Sequence, residues 1–350
     1  MSYQLYDPHK DDFMVENIAS IFYRHIDLNG INTLLDHVYK NDVKSIMICS
    51  STLDKDLIKV ISDRLKDLSI TNLVLSEVSL RSDSGSNTDV NDLINGIKTS
   101  RIDHLDLSNN NLCQSDIISL FKSLGTLKLK HFNICRNVIT SSIRSALCPN
   151  RFLTSINLCG TGISDDDLFC ILDHAQIETL IVSKNRFTYE TIDKLCKIIT
   201  DEGIIHNLNM SSCNLNNKAM LRIADLLIDT KIKFLNLRFN NLNNDGITDF
   251  FYKISKSLYI YHISLCDNNF TIDESLHKYI RSHVSLRSFM VRDADISSSA
   301  MNINRIIFTL RSKRTNILVA LCSPLFVSRL CKKYLLTFDI IRSLSEYLYD

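Results

Sequence analysis

The sequence predicts an α/β repeat solenoid, and three observations predict it. A frame set by Ile102, Leu105, Leu107, Asn110 and Leu112 reappears at 129–139, 153–163, 177–187, 205–215, 232–242, 260–270 and 286–296. Weaker copies start at Val43 and Ile70, and successive starts fall roughly 24 to 32 residues apart, mostly near 27, the signature of an array of stacked units. Each frame is followed by apolar residues at helical spacing, so an extended segment and a helix alternate down the chain.

Numbering the frame from its first apolar residue, positions 4 and 6 (Leu105 and Leu107, Leu235 and Leu237) are two apart and point to one face of a strand. Positions 3 and 5 (His104 and Asp106, Phe234 and Asn236) point to the other. Position 9 holds Asn110, Asn137, Asn185, Asn240 and Asn268, where the chain turns away from the strand. An amide there both donates to and accepts from turn backbone that water cannot reach once neighbours stack. Thr161 and Cys213 supply part of that bonding; Val78 and Ala294 supply none, as suits copies near the ends of a stack.

The helical halves are read from runs such as Ile117, Leu120 and Phe121, or Met220, Ile223, Ala224 and Leu227. One strand and one helix cannot bury their apolar sides alone, whereas stacked neighbours can. The expected fold is a horseshoe with parallel strands on the concave face, helices on the convex face and helical caps at both ends. Residues 1–42 leave the frame; Phe13, Ile18, Ile21 and Phe22, then Ile31, Leu34, Leu35 and Val38, are helix-spaced and predict an N-terminal cap. About ten copies occupy 43–300. In 301–350 the expectation is helices over 301–310, 317–330 and 338–348. The polar stretch 81–89 lengthens one repeat and predicts a mobile protruding loop.

The frame resembles the leucine-rich repeat, L-x-x-L-x-L-x-x-N/C-x-L, and repeat length and helical second halves are most similar to the ribonuclease-inhibitor-like subfamily. The resemblance covers about residues 43 to 300. It implies a protein-binding scaffold. Two activities of such proteins do not transfer: the Ran GTPase activators carry an acidic tail that is absent here, and the ribonuclease inhibitors use acidic concave residues where this chain is mixed.

The tail, with Leu336, Asp339, Ile340, Leu344 and Leu348, resembles the opening helix of an F-box, L-P-x-E-I-x-x-x-I-L-x-x-L, although Thr337 replaces the Pro and Ser345 a hydrophobe. Truncated boxes of this kind end poxvirus ankyrin-repeat proteins that recruit cullin ubiquitin ligases. The resemblance implies an adaptor whose repeats select a target while the tail engages the ligase; the alternative is a plain C-terminal cap. The Ile-, Asn-, Asp- and Ser-rich composition suits an A/T-rich genome, such as that of a virus or intracellular parasite acting on its host.

Composition narrows the function classes. A net charge of +1 offers no general attraction to nucleic acid or anionic membrane. No run approaches the ~18 apolar residues of a membrane span, and the first residues lack a signal-peptide core. A cytoplasmic, reducing compartment is expected. Four of the eleven cysteines, Cys49, Cys135, Cys159 and Cys266, share position 7 with Ser76, Ser108, Ser183 and Ser211, so the column asks for a small side chain and thiols are expected. No Gly-rich phosphate loop, zinc-ligand spacing or nucleophile motif stands elsewhere, so no cofactor and no enzymatic activity are expected. One constellation could hold a metal or move a proton: His104 and His131, about 5 Å apart by strand stacking, with Asp106 beside them.

The expected binding surface lies in the later copies: Lys233, Phe234, Asn236, Arg238, Phe239, Tyr261, His262, Arg287 and Arg292. Aromatic residues mixed with Arg, where the core does not need them, have the composition of binding hot spots. An RNA groove is a rival use of the same side chains, weakened because Asp267 and Asp293 interrupt the positive field.

Overall fold

The computed structural model describes residues 18–22, 26–80, 88–273, 276, 279–280, 282–291, 308–312 and 315–321. The chain divides into two compact units, Met1–Asn185 and Arg186–Asp350. In each, parallel strands alternate with helices, the α/β repeat architecture expected from the frame.

The first unit runs β1 (Ile18–Phe22), α1 (Leu28–Lys40), β2 (Ser45–Cys49), α2 (Lys55–Arg64), β3 (Asn72–Ser76), α3 (Thr88–Lys98), β4 (His104–Asp106), α4 (Gln114–Leu124), β5 (His131–Asn133), β6 (Ser155–Asn157), α5 (Asp165–His174) and β7 (Thr179–Ile181). Each strand pairs in parallel with the next in sequence, with His104 opposite His131, Phe132 opposite Ile156 and Ser155 opposite Thr179. The second unit contains α6 (Tyr189–Glu202), β8 (Asn207–Asn209), α7 (Asn217–Asp229), β9 (Phe234–Asn236), α8 (Asn244–Ile254), β10 (His262–Ser264), β11 (Ser288–Val291), β12 (Phe308–Ser312) and β13 (Thr315–Leu321). There β8 to β11 pair in parallel, β13 adds to β11 in parallel, and β12 lies antiparallel to β13.

Positions 4 and 6 form the core: Leu105, Leu107, Leu235 and Leu237 are wholly buried. The helices bury the faces their spacing defines, Ile117, Leu120, Phe121 and Leu124 in α4 and Met220, Ile223, Ala224 and Leu227 in α7. Helices start at position 12, where Asp54, Ser164, Thr188, Asn216 and Asn243 accept a backbone N–H of the first turn. Position 8 is left-handed in successive copies, with positive φ at Ser50, Glu77, Asn109, Arg136 and Gly160 and again at Ser212, Phe239 and Asp267. That conformation costs a non-glycine residue about 1–2 kcal/mol, and here it turns each strand into its loop.

The asparagine column bonds as its chemistry requires. Asn137 Nδ2 donates to the carbonyls of Leu107 (2.8 Å) and Ile134 (3.1 Å), while its Oδ1 accepts the N–H groups of Asn110 (3.0 Å) and Leu112 (3.1 Å). Asn240 repeats this with Met210, Leu237, Cys213 and Leu215. Each asparagine thus ties its own turn to that of the preceding copy. Thr161 donates only to Leu158 of its own copy, at 2.9 Å.

Three expectations are corrected. Residues 18–22 form strand β1, paired with β2, rather than a helical cap, because five residues are too short for helical and extended spacing to differ; the helix expected from Ile31, Leu34, Leu35 and Val38 is α1. The copy starting at Leu129 has a short 3-10 turn, Arg144–Ala146, in place of an α-helix; the next copy is equally short and holds α5, but Pro149 stands where that helix has Asp173, and a proline inside a helix removes a backbone bond and clashes with the preceding turn. Over 308–310 and 317–321, the described parts of the helices expected at 301–310 and 317–330, the chain instead forms the hairpin of β12 and β13; two residues separate these β-branched and aromatic runs, which is a hairpin spacing. The 81–87 part of the polar loop lies outside the described residues, as do Ala294 and everything beyond Leu321. Among the described residues no helix is long and apolar enough to cross a membrane.

Candidate functional site

Strand alternation sends positions 3 and 5 to the face opposite the helices, and the two units differ there. In the first unit this face is accessible: His104, Asp106, Asn133, Ser155, Asn157 and Thr179 are half-buried and His131 is exposed. In the second it closes at His262 and at every described position 5, while Asn207 and Phe234 stay half-buried. Asn209 and Asn236 are each 2% exposed, His262 5% and Met290 3%. Asn236 and His262, expected on an open binding surface, are therefore buried. Alternation fixes the direction of a side chain and says nothing of what lies above it.

Position 5 also has a structural task that its polarity conceals. Asp106 Oδ1 accepts the N–H of Ser108 at 2.8 Å, and Asn133, Asn157, Asn209 and Asn236 accept that of the residue two further on, at 3.0 to 3.1 Å. This side-chain turn ends each strand. The Asp or Asn that recurs four residues after the first apolar residue in five copies was the signal available in the sequence.

What remains accessible of the expected surface lies along the strand ends of the second unit. Lys233, Phe234 and Tyr261 are half-buried and Arg287 is exposed. The Arg287 guanidinium sits 4.4 Å from the centre of the Tyr261 ring, and the Phe234 ring lies 6.2 Å from that of His262. At the opposite strand end Phe239 is 46% exposed at a left-handed position, with the Arg238 guanidinium 5.1 Å from its ring centre. Arg238 also faces Asp267 at 3.8 Å, which balances the charge there. Arg292 lies outside the described residues, as do Leu336, Asp339, Ile340, Leu344 and Leu348.

Strand register brings His104 and His131 together, ring centres 5.2 Å apart and planes inclined by 37°. The third member of that constellation is committed elsewhere. Asp106 Oδ2 accepts from Asn133 Nδ2 at 2.8 Å while Oδ1 holds the Ser108 N–H. Among the described residues no cluster of three or more His, Cys, Asp or Glu side chains is placed to hold a metal ion. Burial pushes the Cys49 thiol up to about 11 and that of Cys196 to about 12, so neither is a nucleophile at neutral pH. Burial pushes the His262 imidazole down to about 4, which keeps it neutral.

No family model matches the chain, and no curated protein matches it. Among solved structures, a Bacteroides fragilis protein determined by a structural genomics consortium is similar over 79% of this chain and 74% of its own, at 11% identity and a TM-score of 0.38. A likeness that slight carries no argument about function, and the chain's own geometry has to.

Proposed function

We propose that this chain is a non-enzymatic protein-binding module, a leucine-rich-repeat protein of the ribonuclease-inhibitor-like kind, that takes a partner protein on the accessible strand ends of its second unit. The observation that supports the reading is the Tyr261–Arg287 pair beside Lys233 and Phe234, aromatic and cationic side chains on a rigid parallel sheet whose core does not need them. A sheet already bonded on both sides loses little conformational entropy when a partner docks, so association is not opposed by folding.

The test is quantitative affinity capture from the cells in which the protein is made, using full-length chain and three variants: Phe234→Ala with Tyr261→Ala, Arg287→Glu, and Lys130→Ala as a surface control in the first unit. Loss of the same captured protein from the first two, with unchanged unfolding midpoints, supports the reading. Retention of every captured protein by both refutes it.

An adaptor for a cullin-type ubiquitin ligase is a second reading, carried by the tail's sequence alone, Leu336, Asp339, Ile340, Leu344 and Leu348. A chain ending just after Leu321, which keeps β12 and β13 in the sheet, would then lose cullin-complex proteins while keeping its target.

A further inference from the structure

At one junction position 7 brings its side chain against the same position of the next copy. The hydroxyls of Ser76 and Ser108, neighbours in this column, are 2.9 Å apart. Continuing along the first unit, the column reads Ser108, Cys135, Cys159 and Ser183, so Cys135 and Cys159 are its one pair of adjacent cysteines among the described residues. Their backbones are congruent. Each N–H is held by the asparagine two residues earlier at 3.0 Å, each is followed by a left-handed residue (φ 58° at Arg136, 62° at Gly160), and the Arg136 N–H donates to the Cys159 carbonyl at 2.8 Å. The register of β5 and β6, continued two residues past the strands by the Ile134 N–H to the Asn157 carbonyl and the Arg136 N–H to the Cys159 carbonyl, places such residues roughly 5 Å apart at Cα, inside the ~4.4–6.8 Å span of disulfides.

The junction these two cysteines straddle differs from its neighbours. Thr161 stands where an asparagine would reach back to the preceding turn, and the copy containing Cys135 has only the Arg144–Ala146 turn behind its strand. The Asp167 carboxylate, which accepts from the Ser142 hydroxyl (2.7 Å) and the Ile143 N–H (3.1 Å), takes over part of the missing amide's bonding, but the helix packing that ties other copies together is reduced there.

We propose that Cys135 and Cys159 are a redox-active pair that closes into a disulfide under peroxide and staples this junction. Cys135, half-buried, meets the oxidant first, whereas Cys159 is fully buried and acts as the resolving thiol. The Cys135 sulfur attacks one peroxide oxygen; the O–O bond breaks, and sulfenic acid and one water form. The Cys159 sulfur then attacks the Cys135 sulfur, the S–O bond breaks, and the departing hydroxide leaves as a second water with the Cys159 proton. Two thiols are oxidised by two electrons and one peroxide is reduced. A thiol reductant reverses the link.

Full-length protein is treated with hydrogen peroxide, digested without reduction and examined by mass spectrometry, beside Cys135→Ser and Cys159→Ser. Serine is the column's own alternative residue, so both variants keep the packing. The expected result is a linked peptide pair joining 135 to 159 with loss of two hydrogens, absent in either variant and after dithiothreitol. Oxidation should also raise the unfolding temperature of the wild type by about 5 °C, the effect of closing a loop of this size, and leave both variants unshifted. Over-oxidised Cys135 without a link, links scattered among other cysteines, or a 135–159 link with no change in unfolding temperature overturns the proposal.

Discussion

Removing the amide of Asn137 tests how the copies are joined. Asn137 is wholly buried, and its Oδ1 is the acceptor for the N–H groups of Asn110 and Leu112 in the preceding copy. Its Nδ2 donates to Leu107 and Ile134, whose carbonyls keep a second donor, Asn110 Nδ2 for Leu107 and the Asn137 N–H for Ile134. Asn137→Ala therefore strands two buried N–H groups, at about 1–3 kcal/mol each. A water entering the vacated space recovers part of this, leaving an expected loss of about 3 kcal/mol. Asn137→Asp keeps the shape and the acceptor but turns a carboxylate oxygen toward two carbonyls, so it should cost more than alanine at neutral pH. Asn269→Ala is the control: its amide bonds Asn241 Oδ1 at 2.9 Å on an exposed edge, and its expected cost is within ~0.5 kcal/mol. Urea unfolding followed by circular dichroism measures all three. If Asn137→Ala costs no more than the Asn269 control, the column is not what ties the copies together.

Other outcomes follow from single contacts. His262 should make stability pH-dependent: its folded imidazole protonates only near pH 4, whereas in the unfolded chain it does so near ~6.5. The unfolded state thus binds the extra proton as pH falls through that window, stability drops by about 3 kcal/mol at most and is unaffected above it, and His262→Gln should flatten the urea midpoint against pH. His283 is shifted in the same direction by burial, and its Nδ1 accepts the N–H groups of Ser285 and Leu286, bonds that only an unprotonated Nδ1 makes. In α3, a Cβ on Gly96 would lie 2.4 Å from the Ser62 carbonyl oxygen of α2. Gly96→Ala should therefore lower the melting temperature through about 1–3 kcal/mol of overpacking, opposing the ~1 kcal/mol gain the substitution gives in an open helix.

The parts of the fold legible in the sequence are those set by short-range periodicity repeated many times. Leu105 and Leu107 had to share a face, Asn137 had to bond turn backbone, and stacking had to bring His104 to His131. Segments occurring once were less legible: Ile18–Phe22 and Thr315–Leu321 are apolar runs whose strand conformation comes from pairing with a neighbour already in place. For the candidate site, side-chain direction was readable but cover was not. Asn236 and His262 point where alternation puts them, yet both are buried, and Asn236 is occupied by the Arg238 N–H. Tyr261 and Arg287 keep the accessibility that marked them, because each stands just before its strand, β10 or β11, outside the alternation that buries the strand residues.

The most direct test of the binding account is hydrogen–deuterium exchange of the full-length chain with and without a partner captured by it. Added protection over 233–236, 261–264 and around Arg287, where strand ends carry the aromatic and cationic side chains, is the predicted result. Protection confined to the helices α7 and α8, with those strand ends exchanging as in the unbound chain, would contradict it.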